Sequence, residues 1–265
     1  MSGENSFLEV DYRYFKKKIL EKSGVDLDAY KPRQMQRRIK EIGKKKGFST
    51  LREYWRFLEK NPREYETFLD YITINFSEFF RDPDRFQELE KRILPELLKK
   101  TPNLRIWSAA CAAGEEPYSL AIILEENYPQ VTTRVLATDI DEAALRKAKV
   151  GLYDKMHLRN VSPDRLNRFF IRENDKFRIK ENIKRRVKFK KINLLEGKFP
   201  REFFWLILCR NMIIYLEDEV KNALIAKLHG ALKKGGILFL GGTEKILNPS
   251  ETGFEPIGNC FYQKI

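Results

Sequence analysis

The stretch Trp107-Ser-Ala-Ala-Cys-Ala-Ala-Gly-Glu-Glu-Pro-Tyr-Ser119 joins a strand to a helix through a turn of small residues. A short apolar run, Leu104-Arg-Ile-Trp107, leads into it, and an amphipathic run from Glu116 to Tyr128 follows. Open α/β sheets build the floor of a cofactor site in this way. Ala109, Ala110, Ala112, Ala113 and Gly114 lack bulk, so a ligand can lie against the backbone. Glu115 and Glu116 stand where a phosphate-binding turn would avoid negative charge. The turn therefore suits a ligand carrying positive charge and hydroxyls rather than a pyrophosphate. S-adenosylmethionine, with its ammonium, sulfonium and ribose, has that make-up.

Outward from this turn, strand and helix signals alternate. Strands are predicted at Leu104–Ser108, Thr133–Thr138, Val187–Lys191, Trp205–Cys209, Gly236–Leu240, Phe254–Ile257 and Phe261–Lys264. Helices are predicted at Glu116–Tyr128, Asp141–Val150 and Glu217–Leu232, the last stopping at Gly235-Gly236. Such alternation predicts an α/β fold, a mostly parallel sheet with helices on both faces. The closing pair, joined near Gly258-Asn259, reads as a hairpin at an antiparallel edge. Residues 151–186 break the rhythm with dense charge and short alternation, and predict a small β insertion.

Residues 1–73 read as an all-α domain. Tyr12, Phe15, Ile19 and Leu20 recur at helical spacing, as do Met35, Ile39 and Ile42. Thr50-Leu-Arg-Glu53 is a capping box, and Pro62 suits the first turn of the next helix. Residues 74–100 are expected to form a linker and a bridging helix from Asp84 to Lys100, and residues 101–265 the cofactor domain.

The 265-residue chain carries 51 Lys and Arg against 38 Asp and Glu, a formal net charge of +13, which favours an anionic partner. Three widely spaced cysteines suit reduced thiols, the two histidines are isolated, and no metal-binding spacing occurs. No segment approaches the ~20 apolar residues of a membrane span, and the first six residues show no leader pattern. A cytoplasmic protein without metal is the expectation. The basic run Lys31 to Lys46 includes Arg33, Arg37, Arg38 and Lys40. It shares a helix with an apolar stripe and would present a positive surface, either to an acidic helix bundle or to a nucleic-acid backbone.

Three further clusters could carry chemistry. In Ala137-Thr-Asp-Ile-Asp141, Asp139 ends a strand where an acidic side chain can accept ribose hydroxyls, and Asp141 is placed to cap the next helix. Arg210 and Asn211 follow the apolar run Trp205–Leu208 at the carboxyl edge of the sheet, with Tyr215 just beyond. Thr73-Ile-Asn-Phe-Ser-Glu-Phe-Phe-Arg-Asp-Pro83 mixes Asn75, Ser77 and Arg81 with paired aromatics; it reads equally as an aromatic hinge or as a lid over the cofactor.

Together with Ile192-Asn-Leu-Leu195, Cys209-Arg-Asn-Met-Ile-Ile-Tyr215 and Gly241-Gly-Thr-Glu244, these blocks resemble the CheR-type chemotaxis receptor methyltransferases. The resemblance runs in order from residue 73 to 244 and implies a class I methyltransferase-like domain. It implies methyl transfer from S-adenosylmethionine to glutamate side chains on the cytoplasmic helical bundle of chemoreceptors, leaving methyl esters and S-adenosylhomocysteine. By motif, Asn75, Ser77, Arg81, Gly114, Glu116, Asp139, Asn193, Leu194, Arg210 and Asn211 would meet the cofactor. Arg81 and Tyr215 would stand at the transfer centre, and Arg33, Arg37, Arg38 and Lys40 would face the receptor. No nucleic acid and a monomeric state are expected.

Two departures stand out. The family usually carries Asp shortly before Cys-Arg-Asn, where this chain has Trp205. Family members that tether to a receptor's C-terminal pentapeptide carry a glycine-flanked insertion in the β lobe, and no glycine lies between Phe170 and Ile179. Independence of the pentapeptide is the expectation. A glutamate acceptor, with a reference pKa of ~4.3, is already ionised at neutral pH and needs no strong base. Alignment and exclusion of water carry the chemistry, so Arg81 and Tyr215 are expected to orient groups and manage charge. Two other readings stay open: an RNA or DNA methyltransferase, which the motif Cys209-Arg-Asn-Met212 disfavours, and a non-catalytic sensor, which the presence of Arg81 and Tyr215 disfavours.

Overall fold

The computed structural model describes residues 3–73 and 77–265, with side chains from Val10 onward. The chain divides into two compact units, residues 1–76 with 215–220, and residues 77–214 with 221–265.

The first unit is helical: α1 (Gly3–Ser23), α2 (Pro32–Lys45), α3 (Leu51–Lys60) and α4 (Pro62–Ile72). The apolar positions spaced along these helices converge. Phe15 stacks with Tyr54 and meets Trp55 and Phe68 edge-on, and Tyr12, Ile19, Met35, Ile39 and Leu58 are buried around them. The capping box is formed in full, Thr50 accepting from the Glu53 nitrogen and Glu53 from the Thr50 nitrogen. Leu20 departs from the predicted stripe and is exposed, because the buried face of α1 runs through Tyr12, Phe15 and Ile19.

In the second unit, the helix predicted from Asp84 to Lys100 is interrupted. It comprises α5 (Pro83–Glu88), a π-helical turn at Leu89–Ile93 and α6 (Leu94–Lys100). Pro95 has no amide hydrogen for the α-helical ladder, and the wider turn just ahead of it accommodates the loss. After that come β1 (Ile106–Ala109), α7 (Glu115–Asn127), β2 (Val135–Asp139) and α8 (Glu142–Val150). A small lobe follows with β3 (Leu152–Asp154), α9 (Pro163–Phe169), β4 (Phe170–Glu173), β5 (Lys176–Ile179) and α10 (Glu181–Lys184). The chain closes with β6 (Val187–Lys191), β7 (Phe204–Cys209), α11 (Asp218–Ala231), β8 (Leu232–Leu240), β9 (Phe254–Pro256) and β10 (Phe261–Lys264).

Seven strands form one sheet in the order β6-β2-β1-β7-β8-β10-β9, the first five parallel and β10 antiparallel to both of its neighbours, β8 and β9. All four residues of β1 are buried, as expected where helices cover both faces of a parallel sheet. The lobe is a separate antiparallel sheet, β3-β5-β4. One boundary differs from expectation: α11 ends at Ala231, and Gly235-Gly236 lies within β8. There the register with β7 jumps from Phe204–Leu232 to Leu206–Ile237. Gly235 has φ +73°, and a Cβ on Gly236 would meet the Lys233 carbonyl oxygen at 2.8 Å, so the pair serves a bulge and not a helix stop.

Among the described residues no helix is long and apolar enough to cross a membrane, and no group of three or more metal-ligating side chains occurs.

Candidate active site

The carboxyl edge of the sheet gathers blocks singled out in the sequence. Between β1 and α7, three alternate residues take left-handed backbone: Ala110 at φ +61°, Ala112 at +45° and Gly114 at +94°. Left-handed alanine costs about 1 kcal/mol or more. The turn keeps its shape through bonds to β2: Cys111 N donates to the Thr138 carbonyl at 2.9 Å, and Ala112 N to Asp139 Oδ2 at 2.8 Å. Gly114 is the one position where a side chain would collide, since its Cβ would lie 2.9 Å from Ala148 Cβ and 3.2 Å from Phe189 and Tyr118. Ala110, Ala112 and Ala113 remain partly accessible and offer a smooth backbone floor.

Asp139 and Glu116 are both buried here. Asp139 Oδ1 accepts from Asp141 N at 2.9 Å, while Asp141 itself caps α8 through the nitrogens of Ala143 and Ala144. Burial pushes the Asp139 carboxyl up to about 6 against the pull of its backbone donors. Glu116 Oε1 accepts from Ser108 Oγ at 2.7 Å, and Oε2 lies 3.4 Å from Arg210 Nη1. Burial raises the Glu116 carboxyl, and the Arg210 charge opposes that rise.

Arg210 follows β7 directly. Its guanidinium is buried over the rings of Phe86 and Phe239, and Nη2 donates to Asp82 Oδ2 at 2.6 Å and to the Arg81 carbonyl at 2.9 Å. It thus ties the Ser77–Asp82 segment to the end of β7. Asn211 is left-handed at φ +57°. Beyond β6, Ile192 N donates to the Asp139 carbonyl at 2.9 Å, which sets Asn193 and buried Leu194 beside the end of β2. Asn193 Oδ1 accepts from Leu195 N at 3.0 Å.

Ser77, Arg81, Gly114, Glu116, Asp139, Asn193, Leu194, Arg210 and Asn211 therefore all lie within the second unit, on segments at or tied to the carboxyl ends of β1, β2, β6 and β7. Asn75 lies outside the described residues. Tyr215 belongs to the first unit, where its carbonyl accepts from Lys31 N at 2.9 Å. Of the basic residues on α2, Arg33 and Arg37 are exposed and Lys40 is half-buried. Arg38 is engaged within the helical unit, its guanidinium donating to the Tyr71 carbonyl and lying over the Tyr71 ring. Trp205 sits in the first half of β7, with Lys233 over its ring and Arg210 beyond the other end of the strand.

Glu244 was not expected as a site residue. Its buried carboxylate accepts from the nitrogens of Asn211 (2.7 Å), Met212 (2.8 Å), Ile213 (2.8 Å) and Gly241 (2.6 Å). His157 and Ser119 were also passed over; each hydrogen-bonds the Ser77–Phe80 segment. A charged residue closing an otherwise small motif, Gly241-Gly-Thr-Glu244, was the only sequence signal for the first of these.

The set of acceptors suits a cationic, hydroxyl-bearing ligand. The Asp139 carboxylate accepts backbone hydrogens, among them those of Ala112 and Asp141, and retains lone pairs, Glu116 adds a buried carboxylate, and the small-residue floor admits close approach. A parallel sheet with such a turn after β1 and an acidic residue closing β2 defines a class I S-adenosylmethionine-dependent methyltransferase.

Comparison with known proteins narrows the class. Residues 75–259 match the CheR methyltransferase S-adenosylmethionine-binding domain, and residues 10–73 the CheR methyltransferase all-alpha domain. The chain belongs to the CheR methyltransferase family. It is 38% identical over 258 residues to a chemotaxis protein methyltransferase of Listeria monocytogenes, covering 97% of this chain and 98% of the relative. Chemotaxis protein methyltransferase 1 of Pseudomonas aeruginosa is 36% identical over 260 residues, covering 94% of this chain and 93% of its own. A solved methyltransferase from Methanosarcina mazei overlaps 56% of each chain at 20% identity and a TM-score of 0.35.

Proposed function

We propose that this enzyme methylates glutamate side chains on the cytoplasmic helical bundle of chemoreceptors. The observation that carries the reading is the pairing, in one chain, of both family modules along nearly the whole length of relatives named chemotaxis protein methyltransferases. S-adenosylmethionine supplies an electrophilic methyl group on a sulfonium, and S-adenosylhomocysteine is the product.

In this reading Asp139 accepts the ribose hydroxyls and Glu116 the ammonium group. Glu116 shares Arg210 with Asp82, two carboxylates to one guanidinium, which leaves negative charge for the ammonium group to meet. Ser77, Arg81, Gly114, Asn193, Leu194 and Asn211 complete the contacts, with Asn75 as a further candidate. Arg81 and Tyr215 orient the acceptor carboxylate and exclude water from it; no residue is needed to remove a proton. Arg33, Arg37 and Lys40 form the positive face toward the acidic bundle, with Arg38 contributing more to the fold of that face than to its charge. The protein works in the cytoplasm, as a monomer, without nucleic acid and without a receptor pentapeptide.

Tritiated S-adenosylmethionine offered with receptor cytoplasmic fragments and, in parallel, with RNA tests the reading. Base-labile methyl groups on the receptor fragment are expected. Label on RNA alone, or on neither, would overturn it.

A further inference from the structure

The Ser77–Arg81 segment lies in no helix or strand, so its position depends on bonds from its neighbours. Phe79 N donates to the His157 carbonyl at 2.9 Å, and Phe80 N to Ser119 Oγ at 2.9 Å. Glu78 pairs with Arg159 on the same lobe turn as His157. The His157 side chain adds the bond nearest Ser77: Nδ1 lies 3.0 Å from the Ser77 carbonyl and 3.0 Å from Glu115 Oε1. A carbonyl and a carboxylate both accept, so Nδ1 carries a proton.

Glu115 explains why a histidine serves here. It is the first residue of α7, fully buried, and its ion pair is with His157. A carboxylate so placed needs a positive neighbour. The groups facing the imidazole are Glu115 from α7, Asp154 and the Tyr153 ring from the lobe, and the Ser77 carbonyl. The Glu115 carboxylate accordingly raises the His157 pKa above its ordinary 6.5, against the effect of burial.

We propose that His157 is a positioning residue for the cofactor, its Nδ1–H shared by Glu115 and the Ser77 carbonyl so that the small β lobe holds the Ser77–Arg81 segment against the start of α7. The proposal rests on the reading that Ser77 and Arg81 meet S-adenosylmethionine.

Binding of S-adenosylhomocysteine by calorimetry, with steady-state kinetics, separates the possibilities in wild type, H157A, H157N, S77A and R81A. Losing the anchor should weaken binding by about tenfold in H157A, the equivalent of one net hydrogen bond, and raise KM with little change in kcat. In H157N the amide nitrogen takes the place of Nδ1 and should restore most of the affinity. Unchanged affinity in H157A, or an H157N no better than H157A, overturns the proposal. If S77A and R81A also bind normally, the cofactor reading of the segment fails with it; if they bind weakly while H157A does not, only the role of His157 fails. Because the chain has two histidines, nitrogen-edited NMR gives a second readout that starts from the intact wild-type protein. In wild type the His157 signal should titrate above 6.5, and E115Q should lower it; no movement in E115Q overturns the proposed seating.

Discussion

The carboxylate of Glu244 stands 2.7 Å from the backbone nitrogen of Asn211, and that one side chain organises the loop after β7. Oε2 takes Asn211 and Gly241, while Oε1 takes Met212 and Ile213. A Cβ on Gly241 would lie 2.7 Å from both Glu244 Oε2 and Asn211 Nδ2, so the glycine lets the two strand ends close on the carboxylate. Glu244→Gln would turn an amide group toward two of these donors, whichever way it rotates. A buried donor left facing another loses a charge-assisted bond, about 1.5–3 kcal/mol each. The expected outcome is a stability loss of about 3 kcal/mol in urea unfolding, with a raised KM for S-adenosylmethionine because Arg210 and Asn211 are carried on that loop.

The proposed contact of Asp139 with the ribose hydroxyls predicts an acid limb for cofactor binding. Its carboxyl sits at about 6 where an unfolded aspartate has 3.8, because burial disfavours the charge. The folded state therefore holds its proton more tightly, and this group's effect on stability favours folding at low pH and weakens as pH rises from 3.8 towards 6. Ligand binding has the opposite sign, since the ionised form accepts hydroxyl hydrogens best. Affinity for S-adenosylhomocysteine should be flat above pH 7 and fall as pH drops through about 6. Asp139→Asn should bind more weakly above pH 7, approach wild type at low pH and lose that limb in calorimetry across the range; a limb preserved in the variant would assign it to another group.

Much of this arrangement was legible because the sheet's strands are short apolar runs punctuated by turn residues, and because the cofactor turn is marked by small side chains. The order of strands and helices around Trp107–Ser119 follows from that punctuation. What escaped were features carried by backbone geometry. The run from Asp84 to Lys100 reads as one continuous helix, yet the ladder widens at Leu89–Ile93, just before Pro95. Gly235-Gly236 resembled a helix stop because glycine signals both a cap and a bulge, and only pairing with β7 distinguishes them. His157 acts on a main-chain carbonyl distant in sequence, and Glu244 on three distant nitrogens besides that of nearby Gly241, so local spacing announces little of either role.

The roles proposed for Arg81 and Tyr215 predict that Tyr215→Phe and Arg81→Ala lower turnover more than cofactor affinity. Both substitutions remove groups assigned to the acceptor carboxylate, whose alignment matters only as charge is lost in the transition state. A fall in kcat of about tenfold or more is expected, with S-adenosylhomocysteine affinity of the Tyr215→Phe enzyme within about twofold of wild type. Full activity in Tyr215→Phe would end its assignment.

The lobe bears on receptor tethering. Its β4–β5 hairpin closes through Asn174-Asp175 alone, Asn174 taking the left-handed conformation at φ +55°. That two-residue turn leaves no insertion between the paired ends Glu173 and Lys176. Calorimetry with a receptor C-terminal pentapeptide should register no binding, and methylation of a receptor fragment lacking that tail should proceed as fast as with it. Low-micromolar binding would refute independence.

The face of α2 separates charge from architecture. Arg33 and Arg37 are exposed, and Arg37 has only a loose pair with Glu41 at 3.6 Å, so reversing their charge should cost the fold little. Arg38 instead ties α2 to the end of α4 through the Tyr71 carbonyl and ring. The double variant Arg33→Glu/Arg37→Glu should keep its thermal midpoint while its KM for a receptor fragment rises about tenfold at low salt. That penalty should shrink as added salt screens the surface. Arg38→Ala should show the reverse pattern, losing about 1–2 kcal/mol of stability from the broken carbonyl bond and ring contact. Equal salt dependence of KM in wild type and the double variant would remove this face from receptor recognition.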